Sequence, residues 1–388
     1  MSTILVSGAL ANKHLNGGEA WVRLNWILGL KKLGFDVFFV EQISRESCVE
    51  AAGTVTPFEK SVNLAYFKEV TEQFGLSGMS ALLYERGEQV HGLSYGQLLE
   101  LADGADLLVN ISGHLTFEPL LRRVRRKAYI DIDPGFTQFW HAAGNRGLCL
   151  AGHDFYFTIG ENIGTSTCSI PTGNIPWRPI RQPVVLDFWP VSREGMPNRF
   201  TTVASWRGPY GPVNHDGKTF GLKVHEFRKF IEMPRRVQQK CEIALEIHSA
   251  DAKDLNLLRS NGWQIVDPRV AADPLAFRSY VQQSGAEFSV AQGIYVETDS
   301  GWFSDRTVRY LASGKPALVQ DTGFSRRYPV GEGLLAFRTL EEAVHGAAEI
   351  ARNYHRHCLA ARAVAEAYFD SDKVLGQLVE EVGLKGSR

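Results

Sequence analysis

Short apolar runs alternate along the chain with stretches in which apolar residues recur every three to four positions. Thr3-Ile-Leu-Val-Ser7 is a run of strand length. After a loop closing on Gly17-Gly18, the residues Trp21, Leu24, Ile27, Leu28 and Leu30 return at helical spacing until Gly34 stops the pattern. The run that follows, Phe35-Asp-Val-Phe-Phe-Val-Glu41, is almost continuously apolar, as a strand is when both faces of a parallel sheet are covered by helices. The same alternation predicts helices over 66–74 and 94–102, a strand over 106–111, a helix over 118–125 and a strand over 127–132. The first part of the chain therefore reads as a doubly wound α/β domain.

A proline-rich stretch over 170–183, with fixed backbone angles and missing donors, reads as a linker, and the domain boundary is expected near 185–198. The alternation then restarts, with strands over 200–205, 241–248, 287–290, 316–320 and 333–337, helices over 223–231 and 275–284, and closing helices over 340–368 and 371–382. The expected division is a Rossmann-like domain over 1–190, a second over 191–370, and a terminal helix within 371–388 that returns to the first. Two such domains hold a ligand in the cleft beyond the carboxyl ends of their strands and close upon it.

Composition narrows the function. A chain of 388 residues suits two domains, and 44% hydrophobic residues supply two cores. A formal charge of −1 offers no field for gathering nucleic acid, so no nucleic-acid partner is expected. No run approaches the length of a membrane span and the first residues lack the pattern of a secretory leader, which points to the cytoplasm. The five cysteines form no C-x-x-C pair, so neither a disulfide framework nor a zinc site is indicated.

Candidate chemistry concentrates in residues 300–324. There Ser304 or Asp305 caps a helix from about Arg306 to Ala312, and Ser313-Gly314 ends it before the strand at 316–320. Free amides and the dipole at a helix start hold anions, and Arg306 on the first turn adds a charge-assisted contact. The alternative is an ordinary capped helix with Arg306 paired to Asp305 or Asp299.

The paired α/β domains, the Gly17-Gly18 loop feeding a helix, the Leu-Lys-Lys-Leu-Gly-Phe-Asp-Val entry to the second strand, and the order of residues 305–324 and 340–343 resemble a glycosyltransferase of the GT-B fold. The resemblance implies a nucleoside-diphosphate sugar as donor substrate, held against the second domain, and a small-molecule or glycan acceptor against the first. Arg207 and Lys223 match the basic positions that flank the first strand of the donor domain, and the backbone from Gly301 through Ser304 to Asp305 is placed to hold phosphate. One departure stands out. The glutamates common in the retaining branch are replaced by Gly301 and Arg309, so a retaining outcome is not implied. Candidate acids and bases are His14, Glu19, His114, Asp131, Asp133 and His141; His14, in the loop after the first strand, is the first choice as acceptor-activating base, followed by His114 and Asp131. Asp131-Ile-Asp133 has the letters of a metal-binding Asp-x-Asp but ends an apolar strand, so no metal is expected. Phe136, Phe139 and Trp140 either shape an acceptor pocket or pack beneath the linker. The alternative readings are a nucleotide-sugar epimerase or hydrolase of the same fold, and a non-catalytic two-domain binding protein.

Overall fold

The computed structural model describes residues 2–208 and 210–384, apart from the side chain of Arg146. The first sheet contains β1 (Thr3–Ser7), β2 (Asp36–Ile43), β3 (Ser80–Tyr84), β4 (Gln89–Gly92), β5 (Leu107–Ile111), β6 (Lys127–Asp131), β7 (Phe155–Thr158) and β8 (Arg178–Pro179) in the order β4-β3-β2-β1-β5-β6-β7-β8. Every pairing in it is parallel except β3 with β4. The second sheet is built from β9 (Arg199–Ser205), and, after a hairpin of β10 (Val213–His215) and β11 (Lys218–Phe220), from β12 (Lys240–Glu246), β13 (Gln264–Val266), β14 (Ala286–Ser289), β15 (Ala317–Gln320) and β16 (Leu334–Phe337). Its order is β13-β12-β9-β14-β15-β16, parallel throughout.

Each strand order reverses once, between β1 and β5 in the first sheet and between β9 and β14 in the second. The loops leaving those strands diverge around a crevice, which is where open α/β sheets take ligands. His14 and His114 lie on the loops after β1 and β5, and Arg207 and Lys223 on the connection after β9.

The helix Gly17–Lys32 begins where Asn16 accepts the amide of Glu19 and ends before Gly34, whose φ of 86° suits glycine. Trp21, Leu24, Trp26, Ile27 and Leu30 are all buried, and Arg23 and Asn25 with them. A helix buried on all sides needs partners beyond its own sheet. The helix Ser371–Glu381 supplies one, crossing so closely that a Cβ on Gly29 would stand 2.5 Å from Leu375 Cδ1. The helix Pro274–Gln282 of the second domain supplies the other, with Trp21 Nε1 donating to the Pro274 carbonyl at 2.7 Å. A Cβ on Gly17 would stand 2.1 Å from the Asp273 carbonyl oxygen, so Gly17 serves the contact between the domains.

The proline-rich stretch does not connect two cores as a free linker. Arg178–Pro179 pairs with β7 as the edge strand of the first sheet, and Ile170 and Ile180 are buried; an edge strand tolerates proline because one side of it has no ladder to complete. The chain crosses to the second domain after Val184, which bridges to Asp370 where the chain crosses back. The helix expected over 340–368 is two helices, Leu340–Arg352 and Tyr354–Tyr368, broken at Asn353. Residues 385–388 lie outside the described residues.

Candidate active site

The two switch points face each other across a shared corner. On the first domain stand Lys13, Glu19, Arg23, His114 and Asp133. Glu19 pairs with Arg23 one turn along the helix, and Arg23 lies against Gly8 at the end of β1, its Nε unpartnered. On the second domain the helix Asp305–Ala312 points its N-terminus into the corner, with Ser304 as cap accepting the Arg306 amide. Arg309, on the same helix, is buried; its Nη1 pairs with Asp305 at 2.7 Å and donates to the Gly18 carbonyl at 3.0 Å, tying the two helix starts together. At one of the positions where the retaining branch has a glutamate, this chain therefore carries a cationic strut between the domains.

The structure separates the residues singled out from the sequence. Arg306 pairs with neither Asp305 nor Asp299: its Nε donates to Glu287 at 2.6 Å, Nη1 to the Val203 carbonyl at 2.9 Å and Nη2 to Ser289 at 2.8 Å. Three of its five donors are thus committed to the strands beneath. Arg207 makes a two-pronged contact with Asp251, which follows β12; Asp251 and Asp254 are the charges it feels. Gly301 has φ 74° and its amide donates to the Thr322 carbonyl at 2.8 Å, while a Cβ there would stand 2.8 Å from Asn162. Its amide is spent on the fold rather than open to phosphate. Lys223, at the start of the helix Lys223–Arg228, is the exception: among the described residues its ammonium makes no hydrogen bond or ion pair. Burial and the neighbouring Arg306 push it down to about 7, against the attraction of Glu287 and Asp305. A half-buried lysine with a cation beside it and no anion of its own is an incomplete electrostatic arrangement that an anionic ligand completes.

On the first domain, Asp131 is corrected as a candidate base. Its Oδ1 accepts the Thr137 hydroxyl at 2.7 Å and the Asp133 amide at 3.1 Å, and its Oδ2 accepts Gln138 Nε2 and the Thr158 hydroxyl, each at 2.7 Å. Two bonds on each oxygen leave no lone pair for an acceptor hydroxyl. The His14 ring is anchored within its own domain. Asn63 Oδ1 accepts the Val49 amide, which fixes its Nδ2 as the donor to both the Ala11 carbonyl and His14 Nδ1, the latter at 3.0 Å. The ring also lies against the Ala11 carbonyl, and burial outweighs that contact and lowers its pKa, which favours the neutral imidazole. Among the described residues the His114 ring makes no hydrogen bond to a side chain, and burial with Arg23 and Lys13 nearby pushes it down to about 4.

Sequence reasoning missed the hairpin of β10 and β11. Its two-residue turn, Asp216-Gly217, has φ of 48° and 75°, the type I′ signature that an Asp-Gly pair signals. From the second domain the hairpin spans the cleft to the helix Phe136–Ala142. Phe139 packs on His215 and Phe220 at centroid distances of 4.8 and 5.0 Å, and Tyr210, on the approach to the hairpin, packs on Phe136 and Trp140 at 4.9 and 4.8 Å. The aromatic cluster is therefore filled by side chains of the opposite domain, and Ile170 and Trp177 of the proline-rich stretch pack against it as well.

Among the described residues no helix is long and apolar enough to cross a membrane. No protein-family model matches the sequence, and no curated protein does. Solved structures do match in fold. HepE of Anabaena in complex with UDP-glucose superposes with a TM-score of 0.58 at 12% identity, over 98% of this chain and 99% of its own. Sucrose-phosphate synthase of Thermosynechococcus elongatus gives 0.55 at 11% identity over 98% and 99%. A Listeria monocytogenes protein assigned as a UDP-N-acetylglucosamine 2-epimerase gives 0.51 at 11% identity over 98% and 96%. With two Rossmann-like sheets meeting at their switch points and a likeness that runs the length of the chain, the protein has the fold of the GT-B glycosyltransferases.

Proposed function

We propose that the protein transfers a sugar from a nucleoside-diphosphate sugar to an acceptor hydroxyl or amine, with the diphosphate bound at the corner formed by Lys223, Arg306 and the start of the helix Asp305–Ala312. The observation that carries this reading is Lys223, a half-buried cation beside a second cation, placed at the switch point of the domain against which GT-B donors lie. Negative charge gathers on the diphosphate as the glycosidic bond breaks, and preorganised cations stabilise that charge without reorganisation. Arg309 and Glu19 link this corner to the first domain, so a donor here meets an acceptor held at the ends of β1, β5 and β6. The fold likeness to HepE, solved with UDP-glucose, supports a uridine donor among those to be tried.

A thermal-shift panel of nucleoside diphosphates and their sugars tests the reading. A ligand that binds the folded state at one hundred times its dissociation constant stabilises by about 2.7 kcal/mol, which raises Tm by roughly 3 °C for a protein of 388 residues. One base should stand out from the others. A panel in which every nucleotide leaves Tm unchanged at millimolar concentration overturns the reading. Free epimer or free sugar, formed as fast with acceptors present as without, would favour the epimerase or hydrolase alternative.

A further inference from the structure

Two carboxylates stand two residues apart at the end of β6 in opposite circumstances. Asp131 is saturated by four protein donors. The carboxylate of Asp133 accepts, among the described residues, a single long hydrogen bond, from the Tyr210 hydroxyl at 3.4 Å. Tyr210 belongs to the other domain, and its ring is held between Phe136 and Trp140. A hydroxyl on a ring, delivered from across the cleft, thus already rests on Asp133.

We propose that Asp133 is the base that takes the proton of the acceptor hydroxyl, and that Tyr210 holds the acceptor's place on it until the acceptor enters. The inference rests on the glycosyl-transfer reading. In the step, the acceptor proton passes to an Asp133 carboxylate oxygen, the acceptor oxygen forms the new bond to the anomeric carbon, and the bond from that carbon to the diphosphate oxygen breaks. The bonding pair leaves on the diphosphate, toward Lys223. The proposed step is a single displacement, and attack in line with the departing diphosphate inverts the anomeric centre. Asp131 is a positioning residue here: it accepts the Asp133 amide and anchors Thr137 and Gln138 of the following helix, which fixes the turn that carries the base.

The surroundings of Asp133 suit the task. Burial, with the negative charges of Glu19 and Asp131, pushes it up to about 7, against the opposing pull of Lys13 and Arg23. His114 is pushed down to about 4 and burial raises the hydroxyls of Tyr210 and Tyr295 above the ordinary phenol range, so none of these three changes charge near pH 7. Lys223 on the facing wall, held down to about 7 in the free protein, is raised by the bound diphosphate. The working form is the carboxylate, so turnover is lost as pH falls through about 7 and levels off above it.

The test uses the nucleotide sugar that the thermal-shift panel selects, with water as acceptor and release of nucleoside diphosphate as the signal. Asp133→Asn should lower kcat by about 10²–10⁴ and abolish the acidic limb while leaving nucleotide affinity intact. In Asp133→Ala, sodium formate should restore part of the activity, which a structural role of the carboxylate would not allow. Tyr210→Phe should keep the wild-type kcat. Independently of turnover, the carbon-13 resonance missing from Asp133→Asn should titrate near pH 7 in the wild type. Wild-type turnover in Asp133→Asn, or a resonance that titrates in the ordinary carboxylate range, overturns the assignment of the base. A loss in Tyr210→Phe as deep as that in Asp133→Asn makes Tyr210 part of the machinery and overturns its place-holding role. Absence of any stabilising nucleotide is a different result, and overturns the glycosyl-transfer reading instead.

Discussion

Glu287→Leu is expected to destabilise the protein by about 3–5 kcal/mol, the usual cost of leaving one partner of a buried ion pair without the other. Glu287 is fully buried on β14, and its Oε1 takes the Arg306 Nε at 2.6 Å. Without it the Arg306 guanidinium keeps its bonds to Val203 and Ser289 but has lost its countercharge, with Lys223 beside it as a second cation. The loss in Tm should be roughly 4–6 °C. The double replacement Glu287→Leu with Arg306→Met should recover most of it, because an apolar pair of similar volume often matches a buried ion pair. Denaturant melts of the four proteins in this cycle give the coupling directly. If Glu287→Leu alone is neutral, the pair is solvated and the corner is more open than its geometry indicates. The same argument explains why Arg306→Ala is a poor probe of phosphate binding: it leaves Glu287 buried and unpaired, so a loss of affinity would not separate a missing contact from a damaged fold.

Lys223→Ala is the cleaner probe, since no protein group loses a partner. A charge-assisted contact to phosphate is worth about 1.5–3 kcal/mol, hence a tenfold to hundredfold weaker nucleoside diphosphate by calorimetry. The wild type should also show a proton signature. Lys223 is held down to about 7 in the free protein, and an anion against it favours the charged form and raises that value. Binding at neutral pH therefore takes up part of a proton. The affinity contributed by Lys223 is fully present below about 7 and fades as pH rises through and above it. Calorimetry in buffers of different ionisation enthalpy reads the uptake. Unchanged affinity in a folded Lys223→Ala protein, or binding with no proton uptake, would place the diphosphate elsewhere.

Much of the architecture was legible in local pattern, because that pattern obeys local rules. The run at 3–7, the helical spacing from Trp21 to Leu30, the Ser304 cap and the Ser313-Gly314 stop all follow from backbone hydrogen bonding and from burial of one residue after another. Two closely related chains of argument failed where a local rule had two outcomes. Prolines near 176–183 suit a linker and an edge strand equally, and only pairing with β7 distinguishes them. An Asp-Gly pair at 216–217 marks a hairpin only once its flanks are seen to meet aromatic side chains of the other domain.

The division is sharpest at the candidate site. The sequence by itself determined the inventory: two switch-point loops rich in His, Lys and Asp, a capped helix with Arg306 on its first turn, and Arg309 where the retaining branch has a carboxylate. It could not determine which of those groups remain free. Asp131 and Asp133 are alike in type and two residues apart, yet one is saturated by Thr137, Gln138 and the distant Thr158 while the other faces the cleft. Arg306 is claimed by Glu287 and Ser289 on a strand it meets only after folding, Arg207 by Asp251, and His14 Nδ1 by Asn63. A polar side chain has few lone pairs and protons, and packing spends them on whichever partners the fold brings within about 3 Å. Residue type along the chain sets what a group is able to do; the partners gathered from far along the chain decide what is left for it to do.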